Sequence, residues 1–263
     1  MRRLGDEVIR LARSRLSFVV LGAVAVVPSA TYVLAMGAMA RLPALGPFDV
    51  TAFDLDPSQA YEAILTLHLI FAVVCVGAYA GVIGAISERD VRPRWSAPDA
   101  AGLRRVRVFI AISAVLLPGL MVASACGAGT ALALATATGW SAWDGMSVET
   151  LGELAGLVVR GWLALLPFAA VAFLVGAATR RRLGGLVAVA AVVLLEQLAS
   201  TALSPDYRWW SPFANAAALV GSSTLAEVAE AVLVVGAYVA GSLAIAATLG
   251  TEPRVQKPAR GER

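Results

Sequence analysis

The sequence predicts an all-α polytopic membrane protein, a single transmembrane domain of six helices with both ends on the cytoplasmic side. Three observations carry this. Of 263 residues, 59% are apolar and only 15% charged, against roughly 45–50% apolar in an ordinary soluble domain. Charges this few cannot cover a globule of this size, so a solvent other than water must meet the apolar excess. The apolar residues gather into stretches of about 20, the length that crosses a hydrocarbon core. The basic residues concentrate in alternate connections between those stretches. Such a composition excludes a soluble enzyme, a disordered chain and a nucleic-acid-binding domain, although the sequence pI is near 9.2.

Residues 1–16 read as an amphipathic interfacial helix. Leu4, Val8 and Leu11 recur at helical spacing beside Arg2, Arg3, Arg10, Arg13 and Arg15, a pattern that lies in the cytoplasmic headgroup layer with arginines on lipid phosphates. A plain cationic flank that only fixes topology is the alternative reading. The six-span bundle occupies 17–250, with spans expected at Ser17–Ala40, Ala63–Ile86, Val108–Thr138, Val158–Ala178, Leu183–Leu203 and Ala231–Gly250, and 251–263 is a cytoplasmic tail. The third stretch exceeds one crossing and contains Pro118, so a kink or interruption is expected there; Pro28 and Pro167 act similarly in the first and fourth. Ala38-Met39-Ala40 resembles a signal-peptidase site, but the apolar stretch before it is too long for a signal sequence, and no cleavage is expected.

The positive-inside rule orients the chain. Eighteen of the 21 lysines and arginines fall in the N-terminal segment, the second-to-third connection, the fourth-to-fifth connection and the tail. Only Arg41, Arg160 and Arg208 fall towards the other side, which is acidic. Trp140, Trp143, Trp162, Trp209 and Trp210 near the outer span ends suit an interfacial aromatic belt.

Few residues are available for chemistry. Lys257, the one lysine, precedes Pro258 and cannot serve a phosphate-binding G-x-x-x-x-G-K-[ST] loop. One histidine, His68, rules out H-E-x-x-H zinc sites and two-histidine haem ligation. Cys75 and Cys126 lie in apolar runs and read as packing residues. No nucleophile motif and no carboxylate pair within a span appears, so no catalytic residue and no metal site is expected. Ionisable residues within spans are functional candidates. Glu196 lies deep enough to need a partner, and Arg160 is the expected one if the fourth and fifth spans touch. A structural ion pair, a place on a translocation path and a coincidental boundary position all remain open for it. His68 is read as a packing residue or a proton carrier. The loop after the second span is the most charged stretch, with Glu88, Arg89, Asp90, Arg92, Arg94 and the aromatic Trp95, suited either to a protein partner or to plain solvation. Gly77 and Gly81 form a GxxxG pattern, a weak signal among 24 glycines.

Before the last span stands Trp209-Trp210-Ser211-Pro212-Phe213-Ala214-Asn215, followed by an apolar run too short to cross, read as a re-entrant or interfacial element. With Ile83-Gly84-Ala85-Ile86-Ser87-Glu88 at the end of the second span, this resembles the permease subunit of ABC type-2 transporters, a mainly bacterial export family. The resemblance covers nearly the whole chain. It departs in the charged loop, where Glu88 is followed by Arg89-Asp90-Val91-Arg92 and not by Gly-Thr. The resemblance implies a permease of the bacterial cytoplasmic membrane that forms a homodimer or heterodimer in contact with membrane lipids. It would dock a separate cytoplasmic ATP-binding subunit, which holds the ATP and Mg. It would export an amphipathic drug, lipid or peptide. By the same resemblance, Glu88, Arg89, Asp90, Arg92 and Arg94 couple to that subunit, Pro212, Phe213 and Asn215 form an outer gate, and the second and fifth spans line the path, so that His68, Arg160 and Glu196 are candidates for the path or for an ion pair beside it. A stand-alone membrane enzyme or accessory protein, or a proton-coupled secondary transporter, is the alternative.

Overall fold

The structure, a computed structural model, describes residues 2–39, 57–89, 98–137, 148–202, 211–221 and 224–249. They form helices throughout: α1 (Arg2–Ala12), α2 (Arg15–Met39), α3 (Pro57–Arg89), α4 (Pro98–Ala111), α5 (Leu117–Ala137), α6 (Val148–Thr179), α7 (Gly184–Ala202), α8 (Pro212–Gly221) and α9 (Leu225–Thr248). Five stretches are long and apolar enough to cross a membrane: Arg15–Ala35, Leu67–Ile86, Gly102–Leu134, Val158–Thr179 and Ala226–Thr248. The protein is therefore a multi-pass helical membrane protein. The fifth expected span is the helix α7, 19 residues long, and its described apolar stretch, Gly184–Glu196, is shorter than the other five.

The expected interruption of the third span takes a specific form. α4 runs into α5 through a π-helical turn, Ile112–Leu116, where the Leu117 N–H reaches back five residues to the Ile112 carbonyl. Pro118 explains the turn. The skipped Ser113 carbonyl has lost the Leu117 amide, and the next residue in line is a proline without an N–H. Trp162 on α6 fills the vacancy, its indole N–H donating to the Ser113 carbonyl at 2.9 Å. Trp162 is thus half-buried against this turn, a contact that its place near the outer end of a span did not suggest. The span also starts earlier than the expected Val108, and the last one earlier than Ala231. Pro28 and Pro167 sit inside continuous helices.

Glycines set how closely the inner helices approach. A Cβ on Gly81 of α3 would stand 2.6 Å from the Gly185 Cα of α7, and one on Gly176 of α6 would stand 2.2 Å from the Gly81 carbonyl. Three backbones therefore meet where only glycine fits, the use of small residues expected in the absence of a hydrophobic drive between helices in lipid. In the same core Tyr79, Phe173, Leu165 and Ile112 are buried, and the rings of Phe109 and Phe173 meet at 5.9 Å. α2, α7 and α9 carry the exposed apolar faces, with Phe18, Leu34, Leu195 and Leu233 each at least 65% exposed, as a lipid-facing rim requires.

Candidate functional site

The motif before the last span folds as a capped helix, and its residue types explain one another. Ser211 is the N-cap of α8, its hydroxyl accepting the Ala214 N–H at 2.9 Å. Pro212 follows at the first helical position, where a missing N–H costs nothing. Asn215 turns back, its side-chain Nδ2 donating to the Ser211 carbonyl at 2.8 Å. Phe213 lies in the first turn of α8.

The same Ser211 hydroxyl donates to Glu196 Oε2 at 2.8 Å. Glu196, Ser211 and Asn215 are all buried, at 6, 0 and 8% exposure, and Tyr238 of α9 lies within electrostatic range of Glu196. The fold thus brings together two groups that the sequence suggested separately: the Pro212–Asn215 element and the deep carboxylate. Ser211, which the sequence reading assigned no role, is one partner of Glu196, and α7 is tied through it to α8. Arg160, the partner expected for Glu196, is exposed on α6. A carboxylate beside the first turn of α8 also meets the positive end of that helix dipole. The cluster therefore holds α7 to α8 by polar contacts within an apolar surround.

His68 is fully buried and lies between three helices. Its Nδ1 is 2.7 Å from the Ile64 carbonyl on its own α3, and its Nε2 is 3.0 Å from Ser29 Oγ on α2. Ser29 Oγ is also 2.9 Å from the Gly127 carbonyl of α5 and 2.5 Å from the Ala25 carbonyl. Gly127 is required there, because a Cβ would stand 2.5 Å from the Ala25 carbonyl and 2.8 Å from Nε2. The contacts Gly77 to Val189 and Gly81 to Gly185 fix α3 and α7 antiparallel, a register that carries His68 and Glu196 to within about a turn of one depth. The two side chains nonetheless belong to separate clusters, His68 with α2 and α5 and Glu196 with α8.

At the other end of the bundle a junction forms that the sequence did not reveal. Arg105 of α4 is 5% exposed, and its guanidinium donates to the Ala246 carbonyl at 2.7 Å and to the Leu249 carbonyl, at the last turn of α9. A cation at a helix C-terminus binds both the orphan carbonyls and the negative end of the dipole. Gly102 makes room, since a Cβ there would meet the Ala247 carbonyl at 2.7 Å. The N-terminal helix docks beside this junction. Leu11 of α1 is buried in the core, and Ser17 of α2 donates to the Leu11 carbonyl at 2.6 Å while its hydroxyl lies 2.8 Å from that of Tyr79 on α3. Ser14 caps α2 by accepting the Ser17 N–H at 3.1 Å. Arg10, Arg13 and Arg15 remain exposed. In the sequence Arg105 stands with Arg104 and Arg107 in the basic connection before the third apolar stretch, and nothing there sets it apart from them.

Of the residues expected to couple to an ATP-binding subunit, Glu88 and Arg89 form the last turn of α3, and Asp90, Arg92 and Arg94, with Trp95, lie outside the described residues, as do Trp140, Trp143, Trp209 and Trp210. Among the described residues no group of three or more His, Cys, Asp or Glu side chains is placed to hold a metal ion. No known protein family, curated protein or solved structure matches the chain.

Proposed function

We propose that the chain is the transmembrane permease subunit of an ABC type-2 exporter, working in the bacterial cytoplasmic membrane as one half of a homodimer or heterodimer. The observation that carries this reading is α8. A short capped helix, built on Ser211-Pro212-Phe213-Ala214-Asn215, packs against α6 and α9 just before the last long apolar helix. This is the place the resemblance gives to the outer gate. In this reading α7 crosses the membrane as the fifth of six spans, and α1, the loop after α3 and residues 251–263 share the cytoplasmic side.

ATP and Mg belong to a separate cytoplasmic subunit, which docks on Glu88, Arg89, Asp90, Arg92 and Arg94. Closure of two such subunits moves that loop and α1, and the spans rock to open a path outward for an amphipathic drug, lipid or peptide. Arg105 extends this chain of force, because α4, which begins just after the loop, grips the end of α9. Glu196 and Asn215 act at the outer end, holding α8 closed until α7 and α9 shift.

Native mass spectrometry of the chain, purified in mild detergent from its own membrane, tests the reading. A stoichiometric soluble partner with a phosphate-binding lysine loop is expected. An intact, folded chain that carries no such partner would overturn it. In the complex, Glu88→Ala with Arg92→Ala should uncouple ATP hydrolysis while leaving membrane insertion intact; unchanged ATP-driven transport would remove the coupling role of the loop.

A further inference from the structure

Proton counting at His68 leads to a property outside the transport reading. A backbone carbonyl only accepts, so the Nδ1 atom 2.7 Å from the Ile64 carbonyl must carry a hydrogen. In a neutral ring Nε2 is then a lone pair, and among the described residues the donor beside it is the Ser29 hydroxyl at 3.0 Å. That hydroxyl has one hydrogen, yet the Ala25 and Gly127 carbonyls also approach its oxygen, at 2.5 and 2.9 Å. If the hydrogen serves Nε2, two carbonyls face a bare oxygen; if it serves a carbonyl, Nε2 faces one. The neutral node is one hydrogen short. A proton on Nε2 removes the deficit: Nε2–H donates to Ser29 Oγ, and the hydroxyl hydrogen passes to the carbonyls of α2 and α5.

We infer that His68 and Ser29 form a proton-binding site inside the bundle, with Nδ1–H fixed on the Ile64 carbonyl, Nε2 taking up the proton and Ser29 handing its hydrogen to Gly127. Hydroxyl rotation serves both states, so no backbone movement is needed. Proton uptake makes the Nε2–Ser29 bond charge-assisted, roughly doubling its strength, and adds a hydrogen to the contact between α2 and α5. Burial of the charge opposes uptake. Among the described side chains, the titratable groups on these elements are Arg15 and Tyr32 on α2, Cys75 and Tyr79 on α3 and Cys126 on α5; α3 also carries Tyr61, Glu62, Glu88 and Arg89 in its end turns. Arg160 lies on α6 and Glu196 on α7, both packed against α3. None of these makes either of the two ring contacts above, so the site depends on backbone and hydroxyl dipoles. Its consequence is a proton-dependent tightening of α2 and α5 around α3.

His68 is the only histidine, so the full chain labelled with 15N-histidine in lipid nanodiscs gives a single imidazole spectrum. The expected neutral form is Nδ1–H, the tautomer disfavoured in free histidine, converting to the doubly protonated ring on acidification while the protein stays folded. An Nε2–H tautomer overturns the assignment, and so does a ring that stays neutral throughout the folded acid range. The Gly127 carbonyl 13C shift should follow this titration in the wild type and stop following it in Ser29→Ala. Equal pH dependence in both would overturn the hand-over through Ser29. Should Ser29→Ala fail to fold, the wild-type spectrum alone decides, and neither measurement needs an ATP-binding partner.

Discussion

Single residues carry more of this fold than their chemistry suggests, and two glycine positions make the contrast measurable. Gly127 has the Ala25 carbonyl, His68 and Ser29 where a Cβ would stand, whereas Gly22 and Gly236 have nothing within 4 Å. Gly127→Ala should therefore destabilise the protein by about 1–3 kcal/mol, the range for overpacking. Gly236→Ala should be neutral or stabilising by up to ~1 kcal/mol, through helix propensity alone. Denaturant titration in mixed micelles reads both, and equal effects would contradict the close approach of α5 to α2. Arg105 offers a second comparison. Arg105→Ala removes charged donors from two carbonyls and should cost roughly 1.5–3 kcal/mol. Arg105→Lys should recover part of this. Amide exchange over residues 245–249 locates the effect: fraying confined to the last turn of α9 is expected, and unchanged protection there would contradict the clamp. Both features escaped the sequence for the same reason. A glycine within an apolar run, or an arginine in the basic segment before one, has many packing outcomes, and only the approach of a second helix selects one.

At the scale of elements, apolar run length located the long helices, because crossing length is set by the bilayer and shows in one dimension. Their internal irregularities were half legible. Pro118 announced a break in the third span, but its form, a π turn with the Ser113 carbonyl capped by Trp162, depends on a residue 49 positions away. The role of Trp162 was not legible for that reason, since an aromatic near an outer span end fits an interfacial belt as well as a hydrogen bond to a neighbouring helix. A double-mutant cycle tests the present account. Trp162→Phe should cost about 1–3 kcal/mol by leaving a buried carbonyl unsatisfied. In a Pro118→Ala background, residue 118 regains an N–H, and the added cost of Trp162→Phe should shrink. Additive effects would contradict the orphan-carbonyl explanation. The α8 motif was legible as a re-entrant or interfacial element, from its prolines, aromatics and short apolar run. Its cap was not, because nothing in one dimension pairs Ser211 with Glu196.

For the whole molecule, composition alone excluded a soluble domain, and the structure agrees in showing five long apolar helices with exposed apolar faces. The transport reading adds a sixth crossing at α7 and a cytoplasmic position for the charged loop. The polar contacts divide accordingly: Glu196 with Ser211 and Asn215 at one end, Arg105 with the end of α9 at the other, and His68 between three helices. In that arrangement an ATP-driven push enters beside Arg105 and leaves beside Glu196. Everything in this reading depends on which side of the membrane the charged segments occupy. The most direct measurement is single-cysteine labelling in intact cells. With Cys75 and Cys126 replaced by alanine, cysteines are introduced one at a time as Arg2→Cys, Arg92→Cys and Arg260→Cys. The account predicts that all three are protected from an impermeant reagent outside and become reactive once the membrane is opened. Labelling of position 2 and position 260 from opposite faces would mean an odd number of crossings, and labelling of position 92 from outside would take the loop away from any cytoplasmic ATP-binding partner; either result would contradict it.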